Sequence, residues 1–399
     1  MKILLLVDDY LPHSTKIGAK MMHELGLALL NEGHQVSVAT PDYRVSGKYV
    51  IEDLEGLRVY RFRSPDVKAP SKVRRAINES LLSFNGWRNL KSHFYKNPCD
   101  LIIYYSPSIF FGPLVTKLKK KWNAKSYLIL RDLFPQWVID HGLIKEKSAI
   151  AAYFRKFEQL NYKAADRIGL QSPKNLELFN EKYVLNHKSE VLFNWTRETP
   201  IDSSGNDFRR KYRLEDKVVF FYGGNMGEAQ DMMNLVRLAL GLKNNPNAHF
   251  VFAGSGNEVH LIKNAIREYQ LNNLTLLDPV PQGEYRKMLS EFDIGLFSLH
   301  KEHTTHNFPG KLLGYMAQGL PILGSVNAGN DIIEIINEAG AGKVLLNGKD
   351  DDFLSMAKMF VDKNEWRKEA GKNSFELLQH TFSVDSATKK VLTAVQSIA

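Results

Sequence analysis

Apolar positions in this chain come in short unbroken runs separated by stretches with helical spacing. Ile3–Val7 is five apolar residues long and stops at Asp8-Asp9, the pattern of a strand covered on both faces in a parallel sheet. Met21, Met22, Leu25, Leu29 and Leu30 then share one side of a helix predicted over 19–32, which Gly33 closes before a second strand at 36–40. A βαβ start with a right-handed crossover puts the first loop at the carboxyl edge of the sheet. Further strands are predicted at 57–62, 100–106, 126–135, 167–172 and 190–195, with helices near 112–121 and 148–163. PIDSSGND at 200–207 has no periodicity and reads as a linker. Beyond it the alternation resumes, with strands at 218–224, 249–254, 274–278, 293–299, 321–325 and 342–346 and helices at 230–243, 257–269, 283–290 and 329–338. A last helical tract, 351–397, breaks near Phe382. The expected fold is α/β, with two doubly wound Rossmann-like domains facing a central cleft. The first covers 1–199 plus a returning C-terminal helix at about 383–399, and the second 200–382.

The stretch HKEHTTHNFPGKLLGYMAQGLPILG at 300–324 carries the most chemistry. It follows the apolar strand of Ile294, Leu296, Phe297 and Leu299 with a polar loop and then Pro309, which suits the first position of a helix. Leu312, Leu313, Met316 and Ala317 give that short helix its buried face, and Gly319 and Pro321 end it. The order strand, loop, helix start leaves the N–H groups of Gly310, Lys311 and Leu312 free at the carboxyl edge, where anions collect. A cation in the first helical turn opposes the helix dipole, so Lys311 is expected to need an external anionic partner. The rival reading makes it a solvated surface lysine on one more βα unit.

Charge divides the chain. Residues 1–200 hold 31 Lys+Arg against 20 Asp+Glu, whereas residues 201–399 hold 22 against 24. The excess gathers at Lys68–Arg75, at Arg88, Lys91 and Lys96, and at Lys117–Lys121 with Lys125. Between these clusters Leu81, Leu82, Phe84, Trp87, Leu90 and Phe94 run close to helical spacing. Such a basic amphipathic helix fits an anionic membrane surface; a helix with its apolar face on the core is the rival. No nucleic-acid-binding motif accompanies the charge, so nucleic acid is not an expected partner. The first apolar run is too short for a signal-peptide core and nothing approaches a ~20-residue span. The single cysteine, Cys99, allows no internal disulfide. Together these predict a cytoplasmic protein, peripheral at the inner face of the cytoplasmic membrane.

YGGNMGEAQ at 222–230, FAGSGNE at 252–258, LLDPVPQGEY at 276–285 and FPGKLLGYMAQGLPIL at 308–323 resemble the GT-B glycosyltransferases of family 4, and within them the bacterial O-antigen amino-sugar (L-fucosamine) transferases. The resemblance spans the whole chain and is strongest at 308–323. It implies a UDP-sugar donor, foremost UDP-N-acetyl-L-fucosamine, held by the second domain. A polyprenyl-diphosphate-linked sugar acceptor would be held by the first, with retention of anomeric configuration, no required metal and no cofactor. Carried over residue by residue, Lys311 and its helix start would meet the diphosphate. Gly223, Gly224 and Asn225 would form the turn facing the donor with Gln230 beside it, and Gly254 and Gly256 the turn behind. Val280 and Pro281 would grip the base, and His306, Asn307 and Phe308 the donor sugar. Arg131 and Asp132 stand where relatives often carry a His-Asp pair, and Lys16 and Gly18 join Asp132 as acceptor candidates. The family's two glutamates eight positions apart are His306 and Gly314 here, leaving Glu334 as the candidate ribose contact. Asn225 and Gln230 replace the usual Arg and Lys.

A sugar-nucleotide epimerase or a non-catalytic sugar-nucleotide-binding protein shares this architecture. Asp350-Asp351-Asp352 looks like a metal-binding DxD but sits just ahead of a predicted helix, where capping explains it. Neither GGNMG nor GSGNEV completes a GxGxxG with an acidic residue at the right distance, and HExxH, CxxC and GxSxG are absent.

Overall fold

The structure is a computed structural model. It describes residues 1–398 apart from 15, 141, 143, 184–187, 198, 199, 202–204, 206 and 303–307. The chain forms two compact units. Unit 1 is Met1–Thr196 with the segment from Val384 onward, and unit 2 is Arg197–Ser383; the sequence placed these joints at 199/200 and 382/383.

Unit 1 is built on β1 (Lys2–Leu6), β2 (Gln35–Asp42), β3 (Tyr49–Leu54), β4 (Leu57–Arg63), β5 (Leu101–Ser106), β6 (Lys125–Leu130), β7 (Arg167–Leu170) and β8 (Ser189–Val191). Their order is β3-β4-β2-β1-β5-β6-β7-β8, parallel except for the antiparallel β3–β4 hairpin. Strand periodicity splits each apolar run between two cores. Leu4 and Leu6 enter the cluster with Ile102, Tyr104, Leu128 and Leu130, while Ile3, Leu5 and Val7 enter the one with Leu101, Ile103, Tyr127 and Ile129. That alternation is the physical meaning of an unbroken apolar strand. The C-terminal helix Val384–Gln396 lays Val384, Ala387, Val391, Ala394 and Val395 on the second cluster. Lys125 Nζ donates to the carbonyls of Val395 and Ile398 at 3.3 and 2.5 Å, satisfying orphan acceptors at that helix end.

Sequence reasoning missed β3 here and the helices Lys72–Ser80, Gln136–Asp140 and Pro173–Lys182. The β3–β4 turn is Glu55-Gly56, with φ of 55° and 88°. A two-residue turn with both φ positive is the favoured hairpin connection.

Unit 2 has β9 (Val218–Asn225), β10 (Ala248–Ser255), β11 (Leu274–Leu277), β12 (Ile294–Ser298), β13 (Ile322–Val326) and β14 (Gly342–Leu346), in the order β11-β10-β9-β12-β13-β14, all parallel. The order in which successive strands are laid across the sheet reverses between β9 and β12 in unit 2 and between β1 and β5 in unit 1. Crevices at such reversals are where doubly wound sheets take ligands.

At the β9–β10 edge the two strand ends touch backbone to backbone. A Cβ on Gly254 would stand 1.8 Å from the Gly224 carbonyl oxygen. Gly254→Ala is therefore expected to lose at least about 1–3 kcal/mol by urea unfolding. A neutral or stabilising outcome, the usual result of Gly→Ala at an unstrained site, would show that the strands do not pack this closely.

Candidate functional site

The helix after β12 runs Lys311–Ala317, with Gly310 at its N-cap in αR geometry. Pro309 lies two residues ahead of the helix rather than at its first position. Leu312, Leu313, Tyr315, Met316 and Ala317 are buried and Gly319 takes φ 64° just past its end. Tyr315 fixes the helix to both strands of the reversal point: its hydroxyl donates to Leu296 O of β12 at 3.0 Å and accepts from Gly223 N of β9 at 3.3 Å. One expectation fails. The Leu312 N–H is not free, because it donates to Pro309 O at 3.1 Å.

Lys311 turns its side chain onto β9. Its Nζ lies 3.4 Å from the centroid of the Tyr222 ring. Gly224, at φ 121°, leaves the next space open, so that an added Cβ would sit 3.8 Å from both Cε and Nζ. The residue as a whole is partly exposed, yet Nζ itself is buried and has no hydrogen-bond partner among the described residues. Burial pushes its pKa well below the usual lysine value. A ring face returns only part of what an ammonium loses on leaving water, so the solvated-lysine reading does not hold.

The neighbouring loops interlock. Asn225 Nδ2 donates to Gln230 Oε1 at 2.6 Å, and that oxygen also accepts from Gly227 N at 3.2 Å. Gly256 packs on Met226 O and Gly223 on the Tyr285 ring, with Cβ approaches of 2.1 and 2.3 Å. Loop and ring packing by itself therefore requires glycine at 223, 254 and 256, and Gly224 alone of the four opens toward Lys311. Val280 and Pro281 follow the edge strand β11, Val280 partly and Pro281 fully exposed, with Pro281 capping the helix Gln282–Glu291. Glu334 is exposed on the helix Ile332–Glu338. Phe308 is a core residue, its ring 4.7 Å from that of Phe382, which corrects its expected place against a sugar. His306 and Asn307 lie outside the described residues. Asp350 opens the helix Asp350–Asp362 and pairs with Arg237 at 2.7 Å; the N-cap position is Lys349 and no side chain caps the helix, so the DDD run lies in its first turn, on the favourable side of the dipole, instead of capping it. Among the described residues no group of three His, Cys, Asp or Glu could hold a metal ion.

In unit 1 the structure corrects Arg131. Its Nη1 and Nη2 donate to Leu192 O at 2.7 Å and Phe193 O at 3.2 Å, and the guanidinium sits 5.5 Å from the centroid of the Trp195 ring. Trp195 in turn donates to Met21 O at 2.9 Å. Arg131 is a brace between β6 and the chain after β8, and burial draws its pKa down to about 10. Asp132 beside it reaches solvent at one edge, while desolvation raises its carboxyl pKa against the pull of Arg131. The missing Cβ of Gly18 is explained by the Tyr105 hydroxyl, 2.7 Å from where it would be. Lys16 is exposed at the N-cap of the helix Ile17–Asn31.

Sequence reasoning passed over Asp8. Burial pushes its carboxyl up to about 6 against the opposing charge of Lys16 and a hydrogen bond from its own backbone N–H, and no described side chain donates to it. The available signal was an Asp pair at the carboxyl end of the first strand, on the reversal point.

Residues 205–377 match the family described as Glycosyl transferases group 1. Among curated relatives, the probable glycosyltransferase WbjE of Pseudomonas aeruginosa is 29% identical over 230 residues, which span 56% of this chain and 57% of that protein. The chain thus matches little more than half the length of that relative. The putative colanic acid biosynthesis glycosyl transferase WcaI of Escherichia coli K12 is 25% identical over 339 residues, 80% of this chain and 82% of that one. Among solved structures, HepE of Anabaena in complex with UDP-glucose superposes with TM-score 0.66 at 12% identity over 100% of both chains. WaaG, a glycosyltransferase involved in lipopolysaccharide biosynthesis, gives 0.64 at 12% over 99% of this chain and 100% of that one. These likenesses establish the fold.

Because the folded pKa of Lys311 lies below its unfolded value, the unfolded chain holds more protons between the two, and stability rises with pH across that window. Lys311→Met is expected to raise stability by about 1–3 kcal/mol and to remove this contribution to the slope, as read from denaturation midpoints at a series of pH values. A destabilised variant would mean that Nζ is paired or solvated.

Proposed function

We propose that the chain is a glycosyltransferase of surface-polysaccharide synthesis whose second unit holds a UDP-sugar, with Lys311 on the diphosphate. The observation that carries this reading is the Lys311 ammonium, buried without a partner at the β9–β12 reversal point. Its four-carbon stem can leave the Tyr222 ring for an anion over Gly224. A diphosphate there supplies the missing countercharge and restores the proton that burial disfavours. Glycosyl transfer leaves a nucleoside diphosphate behind, and a lysine fixed beside the leaving oxygens stabilises the charge that develops on them. The proposed transfer proceeds with retention and with this neutralisation in place of a metal ion. The family match to 205–377 supports assigning the donor to this unit.

The proposed donor sugar is N-acetyl-L-fucosamine and the acceptor a polyprenyl-diphosphate-linked sugar, with Asp132 of unit 1 orienting the acceptor hydroxyl. A surface of unit 1 supports a membrane-borne acceptor. Leu82, Leu90 and Phe94 are buried, but Val73 and Ile77 on the helix Lys72–Ser80, Leu81 at the joint, and Phe84 on the helix Leu82–Lys96 are 71%, 57%, 40% and 59% exposed. Lys72, Arg74, Arg75, Arg88 and Lys91 lie among them in sequence. Lys117 Nζ sits 4.0 Å over the Trp87 ring and Lys121 Nζ 3.4 Å over that of Tyr95. Uncovered apolar side chains within a basic field suit adsorption to anionic headgroups. No described helix is long and apolar enough to cross a membrane, so the proposed association is peripheral, at the cytoplasmic face.

Two outcomes are expected. A panel of sugar nucleotides led by UDP-N-acetyl-L-fucosamine, offered with a GlcNAc-diphosphate-lipid and followed by product mass, should yield a transfer product that Lys311→Ala lowers roughly 10²–10³-fold. Undiminished turnover in that variant sinks the role of Lys311, and conversion of donor without acceptor points to an epimerase. In sedimentation with vesicles containing anionic lipid, the protein should pellet and the Arg74→Glu, Arg75→Glu variant should stay in solution; equal pelleting of both removes the membrane reading.

A further inference from the structure

At the carboxyl ends of β1, β2 and β4, unit 1 carries a cavity of about 230 Å³. This is below the ~300–1,000 Å³ of drug-sized ligand sites, so it has room for one ring rather than a chain of them. Charged residues dominate its wall, but the cations are already engaged. Lys68 Nζ lies 2.7 Å from Asp9 Oδ1. Arg44 grips Asp42 with two bonds, Nε to Oδ1 at 2.9 Å and Nη2 to Oδ2 at 2.7 Å. Arg61 pairs with Glu52 at 2.5 Å and also donates to Leu11 O. The pKa of exposed His13 is lowered by partial desolvation and by the nearby Arg61 and Arg44.

What remains unspent on this wall is acceptor capacity. Asp8 lines the cavity with a desolvated carboxyl and no side-chain partner among the described residues. The engaged carboxylates of Asp9 and Asp42 keep further lone pairs. A negatively charged ligand would have to draw the cations from their carboxylates while facing Asp8, and both steps cost energy. A neutral ligand rich in hydroxyl groups meets the same wall as a donor throughout. Tyr43 stands at the rim, 61% exposed, with the Arg44 guanidinium 5.7 Å from its ring centroid, leaving an aromatic surface for an apolar ring face.

We propose that this cavity holds one uncharged sugar ring of the acceptor, with Asp8 accepting a hydrogen bond from a ring hydroxyl and Tyr43 packing against the ring face. The inference rests on the transferase reading and gives it a substrate class: unit 1 selects a neutral acceptor sugar and rejects uronic acids and phosphorylated sugars. The residues differ from the acceptor candidates Lys16 and Gly18, of which Gly18 is required by the Tyr105 hydroxyl and Lys16 supplies the opposing charge at Asp8.

The test uses the full chain with UDP present and saturation-transfer NMR on methyl glucoside, methyl galactoside and methyl N-acetylglucosaminide, set against glucuronic acid and glucose 6-phosphate. At least one neutral glycoside should bind and the anionic sugars should not, and Asp8→Asn and Tyr43→Ala should each weaken that binding about tenfold with UDP affinity unchanged. Equal or tighter binding of an anionic sugar, binding indifferent to both variants, or no glycoside binding while UDP binds would each overturn the proposal. Asp8→Asn removes a desolvated charge and should fold; should it not, the exposed Tyr43 carries the test. Failure of UDP itself to bind would count against the transferase reading, and the glycoside results would still decide the cavity.

Discussion

The second unit is organised around a charge that its surroundings do not answer. Tyr315 ties the short helix to β12 through Leu296 and to β9 through Gly223, and that fixed geometry delivers Lys311 Nζ to the Tyr222 ring. Every contact that holds the lysine in place is neutral. A fold selected only for stability would put an apolar side chain here, since a buried ammonium without a carboxylate is among the costlier arrangements a protein can hold. Perturbed ionisable groups in a crevice are where function concentrates. The match of residues 205–377 to the family Glycosyl transferases group 1 includes both Lys311 and the Tyr222 ring it leans on.

Unit 1 shows the complementary arrangement. Its cavity contains as many cationic side chains as many anion sites do, but Asp9, Asp42 and Glu52 take them up one by one, and Asp8 is left over. Counting basic residues along the sequence would have predicted an anionic ligand there. The pairing reverses that reading, because what a ligand meets is the residual valence of the wall rather than its formal charge. The uncommitted positive charge lies instead beside the exposed apolar side chains of Val73, Ile77, Leu81 and Phe84, where no described carboxylate other than Glu79, paired with Arg75 at 2.9 Å, takes a share among the flanking bases.

The βα alternation was legible because each buried strand is an apolar run with nothing else to be, and both sheets follow from it. The hairpin strand β3 was not, since Tyr49–Leu54 is half polar at an exposed edge and its signature is only Glu55-Gly56 with two positive φ values. Lys311 could be singled out from Pro309, Gly319 and the strand before it. Its buried Nζ could not, because the Tyr222 ring beneath it is 89 positions away in sequence, as 311 less 222 shows. A glycine that admits a ligand and one that admits a neighbouring group look alike as letters, and the sequence could not show that Gly254 faces the Gly224 carbonyl and Gly223 the Tyr285 ring. Phe308 and Arg131 failed similarly: each stands beside a functional stretch and is spent on Phe382 and on the carbonyls after β8.

That distinction bears on the loop that follows the first strand of this unit. Asn225 and Gln230 bond to each other there, so they close the loop after β9 and place no cation in the crevice. The loop so locked keeps Gly224 at φ 121° with Lys311 behind it. The desolvation that depresses the Lys311 pKa would also strengthen its attraction to any anion placed beside it, since charges interact more strongly in a lower dielectric. A single buried lysine can therefore offer electrostatically what several solvated ones would share.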